Sequence, residues 1–192
     1  MTTKTQTDTS LINGVDRDKL FATIDHIKAT PGLAKFRFKI RNEWLDGGHN
    51  RSIISTFFGA AKDFEHPIKF ELHADEPAIL LGKDQAASPV EYLLHALAAC
   101  VTSAMVYHAA AKGIALEEVE SSIDGDIDLR GFLGLDKNVR NGYQEIRMKF
   151  AIKADVPDEQ LQELCEMGPR YSPVFDSITK GVPVKVTAER LA

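Results

Sequence analysis

SPVEYLLHALAACVTSAMVYHAAAKG, residues 88 to 113, is the stretch whose reading decides the fold. Ser88 is a good N-cap, Pro89 suits the first helical position, where no N–H is needed, and Gly113 sits where a helix ends. Between them Leu93, Leu94, Leu97, Ala98, Val101 and Met105 form one apolar stripe, while Ala96, Ala99, Ala104 and Ala109 to Ala111 keep much of the remaining surface thin. The spacing predicts a helix enclosed on most sides, with Cys100, one of two cysteines in the chain, at its centre.

Toward the N-terminus, Asp75 to Ala87 carries Pro77, Gly82 and small polar residues and reads as a loop into this helix. Before it, Ala34 to Leu45 alternates in part, Asp46-Gly47-Gly48 makes a turn, and Arg51 to Phe58 and Ile68 to Ala74 supply two further strands. Leu20, Phe21, Ile24 and Ile27 recur at helical spacing after the capping candidate Asp16, until Pro31-Gly32 stops the pattern. Residues 1 to about 14 are Thr-rich and polar, and are expected to be disordered or loosely attached. The expected division is a leader with an amphipathic helix over 1–33 and one domain over 34–192.

Beyond Gly113, Leu116 to Leu129 alternates as a strand with Gly125 placed for a bulge, and Tyr143 to Ala154 alternates again, so the two are expected to pair as a hairpin. Pro157 to Met167 reads as a helix ended by Gly168-Pro169, Ser172-Pro173 opens a short helix that Gly181 closes, and Val182 to Leu191 reads as a last strand. Three strands, a long helix, two strands, two helices and a strand make an α+β fold with a mainly antiparallel sheet around the long helix.

The chain has 192 residues, 44% hydrophobic and 27% charged, enough for one domain with a full core. A net charge of −5 without a long basic run leaves no electrostatic footprint for nucleic acid and disfavours anionic membranes. No stretch approaches the roughly 18 consecutive apolar residues of a membrane span. MTTKTQTDTS lacks the apolar core of a signal peptide, so a cytoplasmic location is expected. Two cysteines make no disulfide framework, and each is either core filling or a reactive thiol. At about 100° per residue, Ala96, Ser103, Ala104, Tyr107 and His108 share the side of Cys100, giving the thiol small and polar neighbours.

SPVEYLLHALAAC, the later RYSPVFDSITKGVPVKV and the strand order around them resemble the OsmC/Ohr superfamily over roughly residues 36 to 191. These are osmotically inducible and organic hydroperoxide resistance proteins, many of them thiol peroxidases. The resemblance implies an OsmC-like, intertwined homodimer whose long helices pack together, and a peroxidase that needs no metal or organic cofactor. Cys100 corresponds to the cysteine that attacks a small-molecule peroxide as thiolate and becomes a sulfenic acid. A second cysteine condenses with it, and a thiol reductant closes the cycle. A mid-helix thiolate gains little from the helix dipole, so a cation must come from elsewhere. In the family it is an arginine of the early hairpin, held by a glutamate at the start of the long helix. Arg51 is the first candidate, with Arg37 and Arg41 behind it, and each also reads as a strand-surface charge.

The chain departs from the family pattern at two places. The family's glutamate falls on Val90, and Glu91, one position off, either serves from there or stabilises the helix N-terminus. The second cysteine maps to Ser172 rather than to Cys165, which lies among Leu161, Leu164 and Met167. Glu91 and His95 lack a third metal ligand. Cys100 and His108 stand about 12 Å apart in helical rise, too far for a dyad within one helix. Asp124, Asp126 and Asp128 read as a solvent face, and GFLGLDKNVRNG lacks a phosphate loop's ending. Two functions remain: a peroxidase acting through Cys100, and a non-enzymatic dimer of the same fold that binds a small apolar ligand or a partner, with Cys100 structural.

Overall fold

The computed structural model describes residues 11–191, so most of the polar leader lies outside the described residues. The chain falls into two compact units that divide between His95 and Ala96.

The first unit opens with β1 (Leu11–Ile12) and β2 (Val15–Asp16), paired about Asn13-Gly14. Both turn residues have positive φ, 53° and 74°, the conformation that Asn and Gly accept most readily. The expected loose leader therefore does not extend to residue 14. Asp16 caps α1 (Arg17–Ala29) by accepting the Lys19 N–H at 3.0 Å, and a 3-10 turn at Pro31–Ala34 ends it. No α1 residue is buried.

Four strands follow: β3 (Arg37–Phe38), β4 (Arg41–Asp46), β5 (His49–Gly59) and β6 (Lys62–Ala74). The expected first strand is thus two pieces, both antiparallel to one edge of β5, and β6 lies along the other edge. The β6 strand begins six residues before the expected Ile68, for two reasons that local patterning hides. The β5–β6 turn is Ala60-Ala61, at φ 45° and 63°, made without the usual Gly or Asn. Pro67 falls where the register shifts between Ile54 and Thr56, so its missing N–H costs no ladder bond. Gly59 lies under Phe36, whose ring would stand 2.2 Å from a Cβ there.

The helix α2 (Pro89–Lys112) runs as predicted to Gly113 at φ 79°. In the second unit its buried residues are Leu97, Val101, Met105, Ala109 and Ala110. Val90, Leu93 and Tyr107 are exposed, so part of α2 is left uncovered. By length and composition alone α2 could also cross a bilayer. Met105 and Ala109 pack with Leu164, Val119, Phe150 and Ile152, as a core helix does.

β7 (Glu118–Asp126) and β8 (Glu145–Lys153) form the expected hairpin in unbroken register. Gly125 pairs with Ile146 and makes no bulge; a Cβ there would meet the Tyr143 ring at 2.7 Å. The strand stops before Leu129, because Asp128 accepts the Arg130 N–H and caps the short α3 (Leu129–Phe132). Asp124 and Asp126 lie on the exposed face, where both are gripped by Arg147.

The helix α4 (Asp158–Tyr171) runs through Gly168-Pro169, where the sequence reading ended it. Gly168 serves packing there: a Cβ would lie 2.8 Å from Val101 Cγ1. Ser172 then caps α5 (Pro173–Lys180). Residues 181–191 form no strand, which corrects the last expected element. The alternation of Val182, Val184 and Val186 is present, but these side chains are exposed and no described strand pairs with them. The fold is α+β, and every described strand pairing is antiparallel.

Candidate functional site

Cys100 is a free, half-buried thiol in the middle of α2. On its side of the helix Ala96 and Ala104 are half-buried while Ser103 and Tyr107 are exposed, so it lies beside the packed seam and not within it. Across that seam Leu164 packs with Met105 and Ala109, and Gly168 lies against Val101 and Met105. Cys165 is also free. Burial pushes its thiol up, and the neighbouring Glu166 carboxylate adds to this. His108 stacks on Tyr171 with ring centroids 4.1 Å apart. Burial, and then the charge of Lys112, hold its imidazole below the usual histidine range.

Ser172 is buried, and its Oγ accepts the Phe175 N–H at 3.1 Å. The position that carries the second cysteine in the OsmC/Ohr pattern is thus a working helix cap.

At the start of α2, Ser88 donates from both N–H and Oγ to Glu91 Oε2, at 2.7 and 2.8 Å, and the Glu91 N–H returns to Ser88 Oγ at 3.4 Å. This is a capping box. The Ser88 N–H, then its hydroxyl, hold the Glu91 carboxyl below its ordinary range. The Ser-x-x-Glu spacing is its signal, and of the two roles expected of Glu91 this is the one at the helix N-terminus. One residue on, the Tyr92 hydroxyl donates to the His73 carbonyl at 2.6 Å and fastens the first turn of α2 to β6.

Arg51 lies on β5, with Glu43 opposite on β4 and His73 opposite on β6. Its guanidinium bonds Glu43 Oε1 at 2.9 Å and reaches Glu71 Oε1 at 3.6 Å. The chain of polar contacts continues from Glu71 to His73 Nε2 at 3.0 Å and from His73 Nδ1 to His49 Nε2 at 2.9 Å. His73 first, with Arg51, holds the Glu71 carboxyl low. The carboxylates on Arg51 are thus Glu43 and Glu71, while Glu91 is engaged with Ser88. None of Glu43, Glu71, His49 and His73 was singled out from sequence, because cross-strand register brings them together. Among the described residues no three His, Cys, Asp or Glu side chains converge as metal ligands.

Residues 82–187 match the family model for OsmC-like protein, more than half of the chain. The chain belongs to the OsmC-like family. Cys100, Glu91 and Ser172 lie inside the matched stretch, and Arg51 lies before it. An OsmC like protein from Mycoplasma pneumoniae has a TM-score of 0.57 at 16% identity, over 76% of this chain and 89% of that one. A protein of Psychrobacter arcticus 273-4, named for an osmotic stress and detoxification response, gives 0.56 at 15% identity over 74% and 88%. The organic hydroperoxide resistance protein OsmC of Legionella pneumophila gives 0.52 at 17% identity over 77% and 94%. At these identities the likeness shows the OsmC fold. No curated protein matches the chain.

Proposed function

We propose that this OsmC-like protein is a thiol-dependent peroxidase of oxidative-stress defence, acting through Cys100 on organic or hydrogen peroxide. The observation that carries the proposal is a free, half-buried thiol at mid-α2, inside the family-matched stretch, with small and polar neighbours on its side. The Cys100 thiolate attacks one peroxide oxygen and the O–O bond breaks. An alcohol or water leaves after taking up a proton, and the sulfur keeps the other oxygen as sulfenic acid. Ser172 cannot condense with it, and Cys165 lies seven residues away from the motif position of the second cysteine. The reductant is therefore an external thiol: one thiol displaces water to form a mixed disulfide, and a second releases Cys100 and the oxidised reductant. Arg51, held by Glu43 and Glu71, is the cation proposed for the thiolate.

The proposed assembly is a homodimer. Residues 181–191 carry exposed, alternating valines without a strand partner, and Val90, Leu93 and Tyr107 leave part of α2 uncovered. Sedimentation at micromolar concentration should give twice the mass of the 21.2 kDa chain; a monomer alone would remove the dimer.

A second reading has its own support. Glu91 is bound in a capping box and Arg51 is paired with two other carboxylates, as suits a non-enzymatic OsmC-fold dimer that binds a small apolar ligand or a partner. Stopped-flow oxidation by cumene hydroperoxide and by hydrogen peroxide separates the two. The peroxidase consumes peroxide at Cys100 with turnover in dithiol, whereas a structural cysteine reacts no faster than a free thiol.

A further inference from the structure

Opposed residues of an antiparallel pair share a face, and alternate residues along a strand return to it. On the β4–β5–β6 sheet this sets Arg41 and Glu43, Arg51 and Ile53, and Glu71 and His73 on one side. That side holds a cavity of about 460 Å³, bounded by Lys39, Arg41, Arg51 and Lys69 with Glu43 as the only carboxylate. The Ser55 and Thr56 hydroxyls and the Ile40 and Ile53 side chains complete its wall. The volume falls in the range of small-ligand sites, roughly 300–1,000 Å³.

The cations in this cavity are incompletely neutralised. Arg51 spends its terminal nitrogens on Glu43 and Glu71, while its Nε is buried with no acceptor. Lys39 reaches Asp63 only at 3.8 Å. Arg41 and Lys69 meet no carboxylate among the described residues. Like charges gathered on one sheet face repel, and a chain of net charge −5 has acidic residues to spare that are not placed here. A ligand oxyanion would supply the missing acceptors, since guanidinium groups present paired donors that match carboxylate and phosphate oxygens.

We propose that this groove binds a small anion through a carboxylate or phosphate group, with Arg41 and Lys69 as its principal partners and the isoleucines flanking its body. The groove shares Arg51 with the chemistry proposed for Cys100, and the proposal is carried by Arg41 and Lys69, which that chemistry does not use. The test is titration of the full-length protein, at low and constant ionic strength, with inorganic phosphate and separately with hexanoate. The readout is the Arg51 Nε–H resonance together with calorimetry. At least one probe should produce a saturable, single-site shift, and the probe that does so identifies the group recognised. Arg41→Ala with Lys69→Ala should weaken that binding about tenfold or more, the loss of one charge-assisted bond. Cys100→Ser should abolish any peroxide turnover while saturable binding that depends on Arg41 and Lys69 persists, so the two proposals fail separately. Should the double variant fail to fold, Lys69→Ala alone, at an exposed position, should still weaken binding severalfold. Absence of saturation with both probes, or equal binding by the folded variants, would overturn the proposal and leave a solvated basic surface.

Discussion

Gly168 lies against Val101 so closely that a Cβ at 168 would stand 2.8 Å from Val101 Cγ1 and 3.0 Å from the Val101 carbonyl oxygen. The contact lets α4 lie close against α2 at this point. Alanine at 168 must push against backbone, which cannot rotate aside as the tip of a long side chain can. Gly168→Ala should destabilise the protein by about 1–3 kcal/mol, the usual cost of overpacking. Urea unfolding with an unchanged m-value would measure it.

At the other end of α2, the Ser88–Glu91 capping box makes a prediction that divides stability from activity. Ser88→Ala removes the hydroxyl that accepts the Glu91 N–H and should cost about 0.5–2 kcal/mol. Glu91→Gln should cost less, because glutamine also serves at the third position of a capping box. If Glu91 acted instead on the arginine of the peroxidase site, Glu91→Gln would lower peroxide turnover by orders of magnitude with little change in stability. Since Arg51 is held by Glu43 and Glu71, we expect turnover to survive this substitution. Glu43→Gln with Glu71→Gln should reduce it.

His108 gives the protein a pH dependence of definite sign. Burial and Lys112 hold its folded-state pKa below the unfolded value of about 6.5. As pH falls through that value, the unfolded chain takes up a proton that the folded protein resists, so stability decreases. The Lys112 charge facing the ring is partly offset by Glu163, which it bonds at 2.5 Å. On the other side Tyr171 stacks on the ring and Arg170 lies over Tyr171. Thermal unfolding of the wild type should therefore move down between pH 7.5 and 5.5. His108→Gln should flatten that part of the profile; an equal slope in both proteins would remove His108 as its source.

The parts of the chain that were legible in sequence are those decided within a few residues. Asp16, Ser88 and Ser172 cap helices with their own side chains, and Gly113 ends α2 with positive φ, so these three helix starts and the long helix's end could be read locally. The α4 end was misread because Gly168-Pro169 looks like a stop until Val101 arrives against it from another helix. β6 starts before the expected Ile68, and the β5 register that places Pro67 in a bulge is not visible in a local pattern. The alternation of Val182, Val184 and Val186 is a true strand pattern whose partner the described chain does not supply. The mid-helix position of Cys100 was legible from the capped pattern of α2, whereas the carboxylates on Arg51 come from β4 and β6 and depend on pairing that a linear pattern does not show.

The central claim is that Cys100 alone carries the peroxide chemistry. It is tested most directly by mass spectrometry of the wild-type protein after one equivalent of cumene hydroperoxide in the presence of dimedone. The cap formed by Ser172 at the position of the family's second cysteine, and the burial that pushes the Cys165 thiol up, predict a dimedone adduct on Cys100 with Cys165 unmodified. A stoichiometric Cys100–Cys165 crosslink without trappable sulfenic acid, or a Cys100 that remains a thiol while peroxide is consumed elsewhere, would contradict it.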